Sequence, residues 1–76
     1  MNVRFTPEQV EHLSLSIPHL ASEPVVATAL NLPVATVRRW RMDGTGPAYY
    51  TAVNGQTIYQ RNSVIAFMRR NMEAEQ

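Results

Sequence analysis

Apolar residues recur at helical spacing in four stretches of this chain, and a stretch with β-branched and aromatic flanks surrounds an Asn-Gly pair between the third and the fourth. The first stretch opens at Thr6-Pro7-Glu8-Gln9. Threonine caps, proline suits the first helical position, and Gln9 stands where a capping-box partner belongs. A helix from about residue 6 to 15 follows, with Val10, Leu13 and Ile17 facing inward, and Pro18 stops it. The second stretch has Ser22 as cap, Glu23 and Pro24 in its first turn, and Val25, Val26, Ala29 and Leu30 as its stripe. Asn31 ends it in the left-handed conformation, and Leu32 tucks into the turn. The third runs from about Pro33, whose ring fixes φ for a helix start, to Met42. At 100° per residue, Val37 and Trp40 face inward with Leu32, while Ala35, Arg38, Arg39 and Met42 face outward and Arg41 lies at the margin. Gly44 and Gly46 release the chain, and Pro47 prevents the helix from resuming. The last helix, capped by Asn62, spans Ser63 to about Asn71 and turns Val64, Phe67 and Met68 inward.

Residues 48–60 carry the hairpin signal. Asn54-Gly55 suits a two-residue type I′ turn between β-branched and aromatic flanks. That turn pairs Tyr50 with Tyr59, Thr51 with Ile58 and Val53 with Gln56, so the two tyrosines meet on the core side. The predicted fold is α+β, mostly helical, with a two-stranded β-hairpin.

The chain has 76 residues, one domain near the lower limit for a self-sufficient hydrophobic core. With no cysteine, neither a disulfide nor a thiolate-bound zinc reinforces it. His12 and His19 lie seven apart across Pro18 with no acidic residue to complete a metal site, so they read as ordinary surface or half-buried histidines and no cofactor is expected. No apolar run reaches the length needed to span a bilayer, and the polar sequence after Met1 does not resemble a signal peptide. A soluble cytoplasmic protein without membrane contact is the expectation.

Charge is unevenly spread. Residues 1–23 hold Arg4 against Glu8, Glu11 and Glu23; residues 24–72 hold six arginines against Asp43; Glu73 and Glu75 close the chain. A basic centre between acidic ends favours an anionic partner there, with a solvated basic face as the alternative. Every basic residue is arginine, and three of the seven, Arg38, Arg39 and Arg41, cluster around Trp40. Guanidinium matches phosphate oxygens and guanine edges. Trp40 itself is in phase with Val37 and reads as core. Arg69 and Arg70, in the last turn of the final helix, are read first as dipole compensation. With one aspartate, no cysteine nucleophile, no glycine-rich phosphate loop and no suggestive serine–histidine pair, the sequence points away from an enzyme.

Three segments together resemble a known family: Leu30-Asn31-Leu32-Pro33-Val34-Ala35-Thr36-Val37-Arg38-Arg39-Trp40-Arg41, then Gly44-Thr45-Gly46-Pro47-Ala48-Tyr49, then Ile58-Tyr59-Gln60-Arg61-Asn62-Ser63-Val64-Ile65-Ala66-Phe67. The family is that of excisionase-like winged-helix domains, relatives of the DNA-binding domain of mercury-resistance-type regulators. The resemblance covers about residues 20–70. Asn31 stands for the family's turn glycine, Pro33 for its capping serine, Ser63 for an aspartate and Phe67 for a tryptophan. It implies an N-terminal extension with a short helix over 1–19, a winged helix-turn-helix over 20–72 and an acidic tail over 73–76. The first helix, outside the family pattern, serves bracing or self-association.

The implied function is sequence-specific binding of double-stranded DNA in a bacterial or phage-infected cell. The role is that of an excisionase (a recombination directionality factor of a phage or mobile element) that binds cooperatively and bends DNA, or of a small transcription regulator. On the helical wheel, base reading falls to Ala35, Arg38 and Arg39. Thr36 and Arg41 are expected to clamp phosphates, and Asn54, Gln56 and Thr57 on the wing, with Arg61 behind it, to hold the second backbone position. Four to six phosphate contacts predict weak single-site binding with a log–log salt slope of about −4 to −5, and hence self-association on DNA. The alternative is a protein-interaction module whose arginine face docks an acidic partner such as an integrase or repressor.

Overall fold

In a computed structural model, which describes residues 3–72, the chain forms α1 (Pro7–Ser16), β1 (Leu20–Ser22), α2 (Glu23–Leu30), α3 (Val34–Asp43), β2 (Tyr49–Thr51), β3 (Thr57–Gln60) and α4 (Arg61–Arg70). This is a mostly helical α+β domain in which four helices pack with a three-stranded antiparallel sheet of order β1-β3-β2. The acidic tail lies outside the described residues.

The helix ends follow local chemistry. At α1 the capping box is complete: the Thr6 hydroxyl accepts from the Gln9 N–H at 3.2 Å and the Gln9 side chain accepts from the Thr6 N–H at 2.8 Å. The helix stops with Ile17 in extended conformation before Pro18. α2 and α3 both end in Schellman motifs. Asn31, at φ 60°, lets the Leu32 N–H reach the Ala27 carbonyl at 2.9 Å; Gly44, at φ 73°, lets the Thr45 N–H reach the Trp40 carbonyl at 2.9 Å. Ser22 takes the cap position of α2, but its side chain makes no capping hydrogen bond. Pro33 has the expected φ of −62° but ψ of 144°, so it precedes the helix as its cap instead of forming its first turn.

Inward stripes match the spacing of the sequence in three helices: Val10 and Leu13, Val37 and Trp40, and Val64, Phe67 and Met68 are all buried. α2 is rotated from expectation, burying Ala27 with Val26 and Leu30 while Val25 is exposed. Phe67 sits at the centre, 5.1 Å from Trp40 and 5.9 Å from Phe5 between ring centroids. Phe5 also donates its N–H to the Asn71 carbonyl at 2.9 Å. Phe5, Val10, Leu13 and Ile17 share one core with the residues beyond residue 19, and α1 rests on α4 and α2.

Three further expectations need correction. The hairpin is not closed by a two-residue type I′ turn. That turn requires positive φ at both central residues, and only Gly55 (φ 87°) has it; Asn54 does not. Ala52 and Gln56 bond across a three-residue loop, the Gly55 N–H returns to the Ala52 carbonyl at 2.8 Å, and the Asn54 side chain accepts from the Gln56 N–H at 3.0 Å. The register therefore slips by one: Tyr49, not Tyr50, faces Tyr59, Tyr50 faces Ile58, and Thr51 faces Thr57. Second, the hairpin gains a third strand, because β1 pairs with β3 through Ala21 opposite Tyr59. Third, α4 begins at Arg61 with Gln60 as its cap, not at Ser63 behind Asn62.

Candidate nucleic-acid interface

α3 is fixed to the core from one side. Val37 is fully buried, Trp40 is 5% exposed, and Leu32 and Val34 pack against the core at the helix entry. The chain leaving α3 passes directly over Trp40: a Cβ on Gly46 would stand 2.8 Å from the Trp40 Cβ, so this position admits only glycine without movement. With that side fixed, the helical period presents Ala35, Arg38, Arg39 and Met42 to solvent, with Met42 75% exposed. Thr36 is half-buried beside them. Arg39 makes no ion pair among the described residues.

Arg41, expected as a phosphate clamp, is engaged by an internal partner, unlike its neighbours. It turns against Glu23, the first residue of α2, and makes two hydrogen bonds: Nε to Oε2 at 2.7 Å and Nη2 to Oε1 at 3.3 Å. The Tyr59 hydroxyl donates to the same Oε2 at 2.9 Å. Arg38 Nε lies 4.0 Å from Oε1, at the limit of an ion pair, with its side chain 56% exposed. On its other side the Arg41 guanidinium lies 6.0 Å from the centre of the Tyr49 ring, which in turn flanks Tyr59 at 6.0 Å. One carboxylate thus ties α2, α3 and β3 together.

The electrostatics follow from those contacts. The hydrogen bond from Arg41 holds the Glu23 carboxyl below the usual glutamate range against the opposing effect of burial, with the Tyr59 hydroxyl and the charges of Arg41 and Arg38 assisting. Arg41 is raised in turn by its bond to Glu23. Burial, then the bond to Glu23, pushes the Tyr59 phenol well above the ordinary tyrosine value. Glu23 is the functional-looking residue that sequence reasoning missed. In the first turn of a helix a glutamate reads as a partner of the helix dipole, and its real partners lie 18 and 36 residues away.

At the hairpin, Asn54 and Gln56 are exposed and Thr57 is half-buried. Val53 at the tip is fully exposed. Arg61 is not behind this tip. It follows the far end of β3, donates its backbone N–H to the His19 carbonyl at 2.8 Å, and reaches the Ile17 carbonyl with Nη1 at 3.4 Å, bracing the α1–β1 connection. The expected site therefore separates into an exposed α3 face, an exposed hairpin tip, and two arginines occupied by internal partners.

Elsewhere, a groove of about 460 Å³ between α1 and α2 is lined by His12, Ser16, Ile17, Pro24, Val25, Thr28 and Ala29. Among the described residues no three His, Asp or Glu side chains gather as metal ligands, and no helix is long and apolar enough to cross a membrane. No protein-family model, curated protein or solved structure matches the chain.

Proposed function

We propose that the chain is a sequence-specific double-stranded-DNA-binding protein of winged helix-turn-helix type, without catalytic activity. In this reading α2 and α3 form the helix-turn-helix, α3 enters the major groove, and the β2–β3 hairpin is the wing. The observation that carries it is the outward face of α3: Ala35, Arg38 and Arg39 stand in solvent on a helix held rigidly from behind by Val37 and Trp40. An arginine so presented discriminates a guanine edge by roughly 1–3 kcal/mol, and the Met42 side chain beside it suits a thymine methyl group.

The occupied arginines reduce the phosphate contacts open to one copy. With Arg41 held by Glu23 and Arg61 by the α1–β1 connection, the slope expected of log affinity against log salt is about −2 to −3, shallower than the sequence alone implied. Such binding needs neighbouring copies on DNA to reach useful occupancy. That favours a role as an excisionase that bends DNA for an integrase, or as a small transcription regulator, in the cytoplasm of a bacterial or phage-infected cell.

Fluorescence anisotropy with random-sequence duplex DNA tests the reading. Binding at 50 mM salt that weakens with that slope is the expected result. Absence of binding at 50 mM salt would instead favour an interaction module docking its arginine face on an acidic protein.

A further inference from the structure

We propose that Glu23 is a specificity-determining residue: an internal carboxylate that occupies Arg41 and leaves Arg38 outward, so that the Arg41 guanidinium is withheld from indiscriminate phosphate binding. The inference rests on the DNA-binding reading of α3 and adds to it a residue outside the proposed contact surface.

The geometry is that of an anion already bound. Oε2 accepts from Arg41 Nε at 2.7 Å and from the Tyr59 hydroxyl at 2.9 Å, while Oε1 accepts from Arg41 Nη2 at 3.3 Å. A carboxylate engaging a guanidinium through two parallel bonds uses the same fork that would otherwise grip two phosphate oxygens. The Arg41 side chain nevertheless keeps 25% exposure, so it lies at the rim of α3 and is not sealed in the core. Arg38 differs: its Nε is 4.0 Å from Oε1, too far for a hydrogen bond, and more than half its side chain is in solvent. Glu23 therefore biases Arg38 toward its own side of α3 without consuming its donors.

Two consequences follow for a protein that must choose among sequences. Phosphate contacts strengthen binding to every sequence equally, whereas base contacts discriminate. A carboxylate that neutralises the marginal arginine and leaves Arg38 and Arg39 outward lowers the first kind of binding and preserves the second. A merely structural Glu23 would have the opposite signature, since its loss would loosen α3 and weaken binding to all DNA.

The experiment compares wild type, Glu23→Gln and Glu8→Gln for random-sequence duplex binding across a salt series by fluorescence anisotropy. Glutamine keeps acceptor and donor capacity at the site but removes the charge, and Glu8→Gln makes the same change of charge at an exposed position of α1. Glu23→Gln is expected to bind several-fold more tightly at low salt with a slope steeper by about 1, the signature of one added phosphate contact. Glu8→Gln is expected to leave the slope unchanged. An unchanged or shallower slope for Glu23→Gln, or an equal steepening for Glu8→Gln, overturns the inference while leaving the DNA reading intact. Failure of both wild type and Glu23→Gln to bind duplex DNA overturns both. If Glu23→Gln loses the near-ultraviolet circular dichroism of the folded chain, Arg41→Gln carries the test: a slope equal to wild type is expected, and a slope shallower by about 1 contradicts the claim that Arg41 is withheld.

Discussion

The two flanks of α3 place the same chemical group under opposite conditions. Arg39 stands in solvent with no ionic partner among the described residues, whereas Arg41, two positions on, is gripped by a buried glutamate between two tyrosines. One flank is a surface with unspent donors; the other is a joint between α2, α3 and β3. A count of arginines cannot separate these roles, because charge is a property of the residue and availability a property of its neighbours.

The strongest way to sharpen the contrast is to reverse charge on the outward flank. Arg38→Glu with Arg39→Glu is expected to weaken duplex binding by about 100-fold or more, by loss of attraction and added repulsion, with the circular dichroism of the folded chain retained. Retained binding would place the contact surface elsewhere. On the inward flank the expected losses are of stability. Gly46→Ala presses a methyl group on the Trp40 Cβ and should cost about 2 kcal/mol in urea unfolding, as overpacking does. Tyr59→Phe removes one hydrogen bond to a buried carboxylate and should cost about 1–2 kcal/mol, with little effect on DNA affinity.

The smallest effect is on pH dependence. Glu23 has its pKa lowered on folding, so its contribution to stability is present above the unfolded glutamate value of about 4.3 and is lost as pH falls through its lower folded value. Tyr59 has its pKa raised, so its contribution is present below the unfolded tyrosine value of about 10 and is lost as pH rises through the folded one. Urea midpoints measured across acid pH should therefore vary less in Glu23→Gln than in wild type. Equal pH dependence in the two proteins would show that Glu23 is not the group responsible.

Sequence patterns were most informative where a single element determines the answer. Val37 and Trp40, or Val64 and Phe67, are buried because a 3.6-residue period leaves one face for the core. The Thr6–Gln9 capping box and the left-handed Asn31 are equally local. The hairpin was legible as a hairpin but not in register, since Asn54-Gly55 suits both a type I′ turn and a type I turn closed by a left-handed glycine. β1 was illegible because Leu20–Ser22 is three residues long and is extended only where β3 lies beside it. For the same reason the candidate site was half visible: the outward Arg38 and Arg39 follow from the period of α3, while the capture of Arg41 and Arg61 depends on Glu23 and Ile17, which only the tertiary fold brings near.

The most direct measurement is amide chemical-shift mapping of isotope-labelled protein titrated with a short duplex in low salt. The largest changes are expected at residues 34–42 and at the hairpin tip, residues 53–57, with α1 and the α1–α2 groove little affected. Changes concentrated on α1 and α4, or none at a concentration where an acidic peptide perturbs α3, would contradict a DNA-reading face on this helix.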